Sequence, residues 1–262
     1  MRRVIKVGTS VLRGSGGRST DQVIADLAAS LRAGWQDFLA APLLGMGFAA
    51  VYVLGGWLVL WALTAQGWLW LTLPASAGFP ILGPFIACGY YEMSRRLAVG
   101  EPLRAAEIAG VIFRQKDRQI PSMAAVIVVF FLFWNFLAHM IFALFLGTAT
   151  LTHITSSFAV FLSGQGLLML LVGTAVGAAF ATLLYALTVV SLPLLLDREV
   201  DFVTAMITSF ALVSANPLVM LCWGALVAAA LFLAMLPGFL GLFVVLPVLG
   251  HATWHLYRRT IL

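Results

Sequence analysis

Charge is scarce in this chain. Asp, Glu, Lys and Arg make up 10% of 262 residues, against about a quarter in an ordinary soluble domain. The segments 64–78, 148–164 and 237–238 carry no charged residue at all. With 62% apolar residues and a mean hydropathy of +1.04, a water-exposed globular fold is excluded. Cysteine is also scarce, at two residues, Cys88 and Cys222, so no disulfide framework is available. No CxxC, HExxH, GxSxG or phosphate-cradling glycine loop occurs, which leaves the common metal, hydrolase and nucleotide signatures without support. "GSGG" at 14–17 precedes no apolar strand and reads as linker. The first 40 residues hold no apolar core beside a small-residue cleavage site, so the first apolar helix is expected to act as an uncleaved anchor.

What is present is long apolar runs. Crossing a bilayer takes about 20 apolar residues, and such runs occur near 43–63, 79–97, 121–147, 165–193, 217–236 and 238–257. The expectation is an all-α membrane protein with six transmembrane helices: a flexible tail over 1–19, then one polytopic domain over 20–262. The second run is interrupted by Gly78, Pro80, Gly83 and Pro84, and the stretch 68–77 before it is read as interfacial or re-entrant. All 15 basic residues fall before the first helix, between the second and third, between the fourth and fifth, or after the sixth. The excess of Lys and Arg marks the cytoplasmic side, so both termini are expected there. The net charge of +5 then calls for anionic lipid rather than nucleic acid.

A three-fold internal pattern accompanies the runs. Each outward-going helix opens with a proline, Pro42, Pro121 or Pro217, tolerated in a first turn because its missing N–H has no partner to lose. An amphipathic segment precedes each. Ile24, Leu27, Leu31, Trp35 and Phe38 form the first stripe. Val203, Met206, Phe210 and Val213 form the third, with Asp197, Glu199 and Asp201 at its start, where the helix dipole favours anions. The second, around Ile108, Val111 and Ile112, is shorter. Among inward-going helices, "PFIACGYYEMSRR" from Pro84 aligns without a gap on "PVLGHATWHLYRR" from Pro247, pairing Cys88 with His251, Tyr91 with Trp254 and Glu92 with His255. Asp197 takes the matching position after Pro193. Three helical hairpins of one orientation are therefore expected.

The candidate binding residues are those polar groups near the cytoplasmic boundary: Cys88, Glu92, Asp197, His251 and His255. Cys88, Cys222 and His251 all fall about 10 Å inside that boundary at 1.5 Å per residue. Imidazole and sulfur suit copper or zinc, but the same residues read equally as packing, and Glu92 as the partner of Arg95 or Arg96; no metal, cofactor or catalytic residue is assigned. His139 lies about 27 Å up the third helix, too far to join them, with Asn135 beside it. Gly173, Gly177 and Ala181 form a small-residue ridge that reads as close helix packing.

The stretches "SLPLLLDREVDFVTAMITSF" and "LPVLGHATWHLYRR", with "RAGWQDFLAAPLLG" and "FRQKDRQI", resemble the bacterial family of predicted integral membrane proteins called domain of unknown function 2189, from about residue 20 onward. The resemblance implies a polytopic protein of the bacterial inner membrane and supplies no activity. The residues themselves point first to a non-catalytic accessory, assembly or scaffold protein whose partners are the bilayer and another membrane complex or a second copy. The alternatives are a small-solute or ion transporter or channel, for which few polar groups line the outer half, and a metal-binding factor linked to respiratory complexes.

Overall fold

A computed structural model describes residues 19–66, 72–147 and 161–261. The described chain is helical, with no strand. Its elements are α1 (Thr20–Ala40), α2 (Pro42–Gln66), α3 (Thr72–Val99), α4 (Ala105–Arg114), α5 (Ile120–Leu146), α6 (Gly164–Thr188), α7 (Ser191–Asp197), α8 (Phe202–Ala215), α9 (Pro217–Met235) and α10 (Leu242–Ile261). The tail lies outside the described residues but for Ser19, which caps α1 in a reciprocal box with Gln22. Of the stretch read as interfacial or re-entrant, 72–77 is helical and continuous with α3; the remainder, 68–71, lies outside the described residues.

Among the described residues, four helical segments are long and apolar enough to cross a membrane: Pro42–Ala65, Ile120–Leu146, Gly164–Asp197 and Pro217–Met235. The other two expected spans, 79–97 and 238–257, fall in α3 and α10, which do not reach that apolarity. The physical reason lies in their position. The second half of α3 and most of α10 are the buried centre of the protein, so they carry Glu92, Ser94, Arg96, His251 and Thr260 as buried polar residues. By contrast α5 and α6 expose most of their surface and are apolar nearly all round.

α10 is packed from three sides. α2 runs antiparallel to it, with Gly45 against Pro247 and Gly56 against the Phe239 ring. The Trp57 indole donates to the Gly238 carbonyl at 2.7 Å, clasping the turn before α10, where Gly238 and Phe239 both take positive φ. α3 lies alongside in matched register: Tyr90 meets His251 and Tyr91 stacks on Trp254. α1 makes the closest approach. A Cβ on Gly34 would stand 2.6 Å from both the Ala252 nitrogen and the Val248 oxygen, so only hydrogen fits there.

That approach changes which face of α1 is buried. Val23, Leu27, Ser30, Gly34 and Phe38 are inside, whereas Ile24 and Trp35 of the expected stripe are about half exposed, at 51% and 45%. In α8, Ala205, Thr208, Ser209, Leu212 and Val213 are buried, while Val203 and Phe210 of the expected stripe are exposed. Leu27, Phe38 and Val213 of the expected stripes are inside and Leu31 and Met206 pack against the core, so each face is turned toward its small residues and not replaced; on α1 the reason is the close approach that Gly34 allows. The ridge in α6 departs in the other direction: Gly177 receives the Trp134 ring, 2.8 Å from where a Cβ would be, rather than a backbone.

The junctions α1–α2 and α8–α9 share one geometry. Ala41 has φ −148° and ψ 61°, and Asn216 has φ −140° and ψ 64°. Each is followed by proline, and each donates its N–H to the carbonyl three residues back. The α4–α5 junction differs, passing through a 3₁₀ turn at Gln115–Asp117.

A Gly34→Ala change should lower thermal stability by about 1–3 kcal/mol, the usual effect of overpacking, although alanine is the better helix former by about 1 kcal/mol. The control is Gly47→Ala, where a Cβ has nothing within 4 Å. Melting in detergent followed by size exclusion reads both; equal behaviour of the two would refute the close contact.

Candidate functional site

The polar groups of the buried centre gather where α1, α3 and α10 meet. Ser94 faces α10 because it follows Tyr90 and Tyr91 by about one turn on the same side of α3, and its Oγ lies 2.8 Å from His251 Nδ1. His255, one turn further along α10, reaches Asp37 of α1, with Nε2 2.7 Å from Oδ2. The Tyr90 ring stands edge-on to His251, centroids 5.5 Å apart, and its hydroxyl donates to the Gly45 carbonyl at 3.2 Å. His251 and Ser94 are fully buried. His251 Nε2 is buried with no hydrogen-bond partner among the described residues, a state suited to an unprotonated nitrogen, with the proton on Nδ1 toward Ser94.

Asp37 sits between two influences. Burial raises its carboxyl pKa, but hydrogen bonds with His255 and Ser94, together with the nearby imidazoles, outweigh this and hold it below 3.8. The carboxylate form is thus the one the surroundings favour.

A second network closes the end of α3. Glu92 accepts from Arg95 at 2.7 and 2.9 Å and from Arg96 at 2.8 Å. Arg96 continues to Glu107 at 2.6 Å and the Pro102 carbonyl at 3.0 Å, and Arg95 to Glu101 at 2.8 Å. Through Arg96 the short helix α4 is fastened to α3. Glu107 is held below the usual carboxylate range by its hydrogen bonds with Arg96 and Arg104. A third contact joins α10 to α7, where the Tyr257 hydroxyl donates to Asp197 Oδ2 at 2.7 Å.

The five candidate residues therefore separate. His251 and His255 share the α1–α3–α10 junction, Glu92 belongs to the arginine network, and Asp197 pairs with Tyr257. Cys88 is wholly buried in the apolar core with Tyr91, while Cys222 is exposed on α9. Among the described residues, no group of three or more His, Cys, Asp or Glu is placed to hold a metal ion. Higher up, His139 Nδ1 lies 2.7 Å from the Asn135 carbonyl oxygen, within its own helix. Asp37, Ser94 and Tyr257 carry no local signal of these contacts in the sequence. Asp37 adjoins the core residue Phe38, and Ser94 follows the aromatic pair by one turn; only a known pairing of α10 with α1 and with α3 would have singled them out.

Chemically, the junction joins three helices through alternating donors and acceptors, with Ser94 and His251 sealed inside and the Asp37–His255 pair partly open. Asp37→Asn should lower stability by about 1.5–3 kcal/mol, as for a hydrogen bond to a charged group. Because the folded pKa is depressed, this stabilisation is complete above 3.8 and is lost as pH falls through the folded value. Melting followed from about pH 6 to about pH 3 should show a smaller acid loss in the variant than in the wild type. Identical acid profiles would refute the assignment.

Neither a curated protein nor a solved structure matched the chain. A family match does exist, narrower than the resemblance read from about residue 20 onward, since the α1 and α10 stretches fall outside it. Residues 71–197, a little under half of the chain, match the family DUF2189, described as a predicted integral membrane protein, and this is the family that the sequence resembles.

Proposed function

We propose that this integral membrane protein is a non-catalytic scaffold or accessory subunit of the bacterial inner membrane, holding another membrane protein or a second copy against its apolar faces. The observation that carries this reading is where the polar side chains of the long helices point. Thr64, Asn135, Thr188 and Thr253 each hydrogen-bond a carbonyl four residues back in their own helix, at 2.7, 2.9, 2.7 and 2.7 Å. Glu92, Arg95, Arg96 and Glu107 at the end of α3 and in α4 are bound up with one another. What these helices offer outward is mostly apolar, including Trp57, Trp61, Phe133, Phe136 and Phe232, all more than 40% exposed, with His139 and Thr182 among the exposed polar residues. A solute path would need polar groups turned toward a common axis. A catalytic role would need a reactive group within reach of substrate, whereas Ser94 and His251 are sealed inside.

The proposal includes the topology. Six spans, with α3 and α10 crossing as the two buried members, would place every basic residue on the cytoplasmic side together with both termini. Three parallel hairpins are supported by the shared Ala41 and Asn216 geometry. They are also supported by the stacking of Tyr91 on Trp254, two residues that the ungapped alignment of α3 on α10 pairs. Equivalent residues touch each other only when they lie close to the axis relating the repeats.

Extraction in mild detergent at natural abundance should yield the protein in stoichiometric association with another membrane protein or itself. A monomer, together with solute flux in reconstituted vesicles, would overturn the scaffold reading in favour of transport. Reporter fusions at the two termini should both report the cytoplasm; a fusion reporting the opposite side would overturn the six-span topology.

A further inference from the structure

Between α5 and α6, closed on one flank by Pro80 of α3, runs a cavity of about 620 Å³. It extends along α5 from Ile127 to Phe142, fifteen helical steps or about 22 Å. Its wall is aliphatic and aromatic, and Thr174 supplies its one hydroxyl. Both bordering helices belong to segments apolar enough to cross a membrane, so hydrocarbon rather than water is the medium at its open side.

Two features hold the cavity open. Phe180 is gripped by Phe130, Phe133 and Trp134, with ring centroids 6.2, 5.7 and 6.1 Å away. The Trp134 indole is in turn seated in the gap left by the missing side chain of Gly177. One turn away, Gly173 leaves a similar gap that nothing fills, since a Cβ there would meet only Ile141, at 4.0 Å. The ridge of small residues thus gives a ring its seat at one position and opens a slot at the next.

The dimensions select the occupant. Dividing about 620 Å³ by that length gives a mean width of about 6 Å for the centre of a water-sized sphere, or about 9 Å from wall to wall once its 1.4 Å radius is added on each side. A helix with its side chains is about 10–12 Å across and does not enter, whereas carbon atoms in contact at about 4 Å make an alkyl chain narrow enough. We propose that this groove is a binding site for one extended acyl chain of a bilayer phospholipid, lying along α5 and α6 with its middle over Gly173. The site depends only on α5 and α6 lying in the bilayer, and stands apart from whichever partner the protein holds.

The test uses the full chain in vesicles of phosphatidylethanolamine and phosphatidylglycerol containing a trace of phosphatidylglycerol with a diazirine in its acyl chain. Parallel samples are illuminated, one in the vesicle and the other only after transfer to detergent, and adducts are mapped by peptide mass spectrometry. After transfer, adducts should persist on Phe131, Phe142 and Thr174 and disappear from the lipid-facing Leu132, Phe136 and Leu171. Gly173→Leu or Thr174→Leu, each filling the slot, should lower the persistent labelling about tenfold, as for two displaced methylenes. Gly173→Ala, which meets only the Ile141 methyl, should retain it. Loss of groove and outer-face adducts together on transfer would overturn the proposal, as would equal labelling in Gly173→Ala and both leucine variants. Cross-linking of a protein segment into the groove in place of lipid would overturn it too. The groove adducts, unlike those on the outer face, read the same whether or not a partner protein co-purifies, so the test fails or succeeds separately from the scaffold reading.

Discussion

The absent side chain at Gly34 governs how close the centre of this protein can come. Because α1 touches the backbone of α10 there, Asp37, one turn on, comes within hydrogen-bonding distance of His255. A helix pair held at ordinary separation, about 8–10 Å between axes, would leave the carboxylate short of its partner. The half-buried carboxylate would then lose its hydrogen-bond partner, at a cost of about 1–3 kcal/mol. Close approach and the Asp37–His255 pair therefore depend on each other. From that pair the contacts extend outward: His251 to Ser94, Tyr90 to the Gly45 carbonyl, and Tyr257 to Asp197.

This ordering explains how the protein tolerates polar groups among so much apolar surface. In a bilayer, apolar packing discriminates poorly between one helix partner and another, because lipid tails are as apolar as leucine. Directional contacts have to supply the choice. Ser94 accepts one partner geometry on α10, and Asp37 another. The arginine network does the same for α4, which has only ten residues and is too short to be stable by itself. Its fastening through Arg96 and Glu107, with Ile108 inserted into the small apolar cluster of Met93 and Tyr90, replaces the length it lacks.

How far this was legible in the residues varies with the kind of interaction. Apolar runs mark helices because length and composition are properties of one segment; thus Pro42, Ile120 and Pro217 begin helices close to where the runs begin. The i,i+3 and i,i+4 pairing of Glu92 with Arg95 and Arg96 was equally readable, since helical spacing alone brings them together. Asp37 with His255 was not, because 218 residues separate them and nothing local specifies the meeting. The faces of α1 and α8 were legible only in part, Leu27, Phe38 and Val213 being buried but Ile24, Trp35, Val203 and Phe210 exposed, for a related reason. Ser30, Gly34 and Ser209 score as weakly apolar or polar, yet their value lies in what they allow a neighbour to do. The cavity was the least readable feature, being a property of the space between Gly173 and Ile141 rather than of either residue.

The break between α6 and α7 shows the same logic applied to the backbone. At Val189 and Val190 the helix stops for two residues, inside a segment otherwise apolar enough to cross a membrane. Freed N–H and C=O groups there are expensive unless neighbours satisfy them. Ser209 of α8 accepts the Val190 N–H at 3.3 Å. Ser191 donates toward the Leu187 carbonyl and lies 3.2 Å from that of Ala205. Ser191 and Ser209 are fully buried, so the hydroxyls serve the break and little else. A straight α6 would continue its own ladder and have no use for Ser209, leaving a buried hydroxyl on α8 without its partner. The interruption and the small polar face of α8 consequently require one another. They fix where Asp197 at the end of α7 is presented, and so where Tyr257 can join α10 to this side of the molecule.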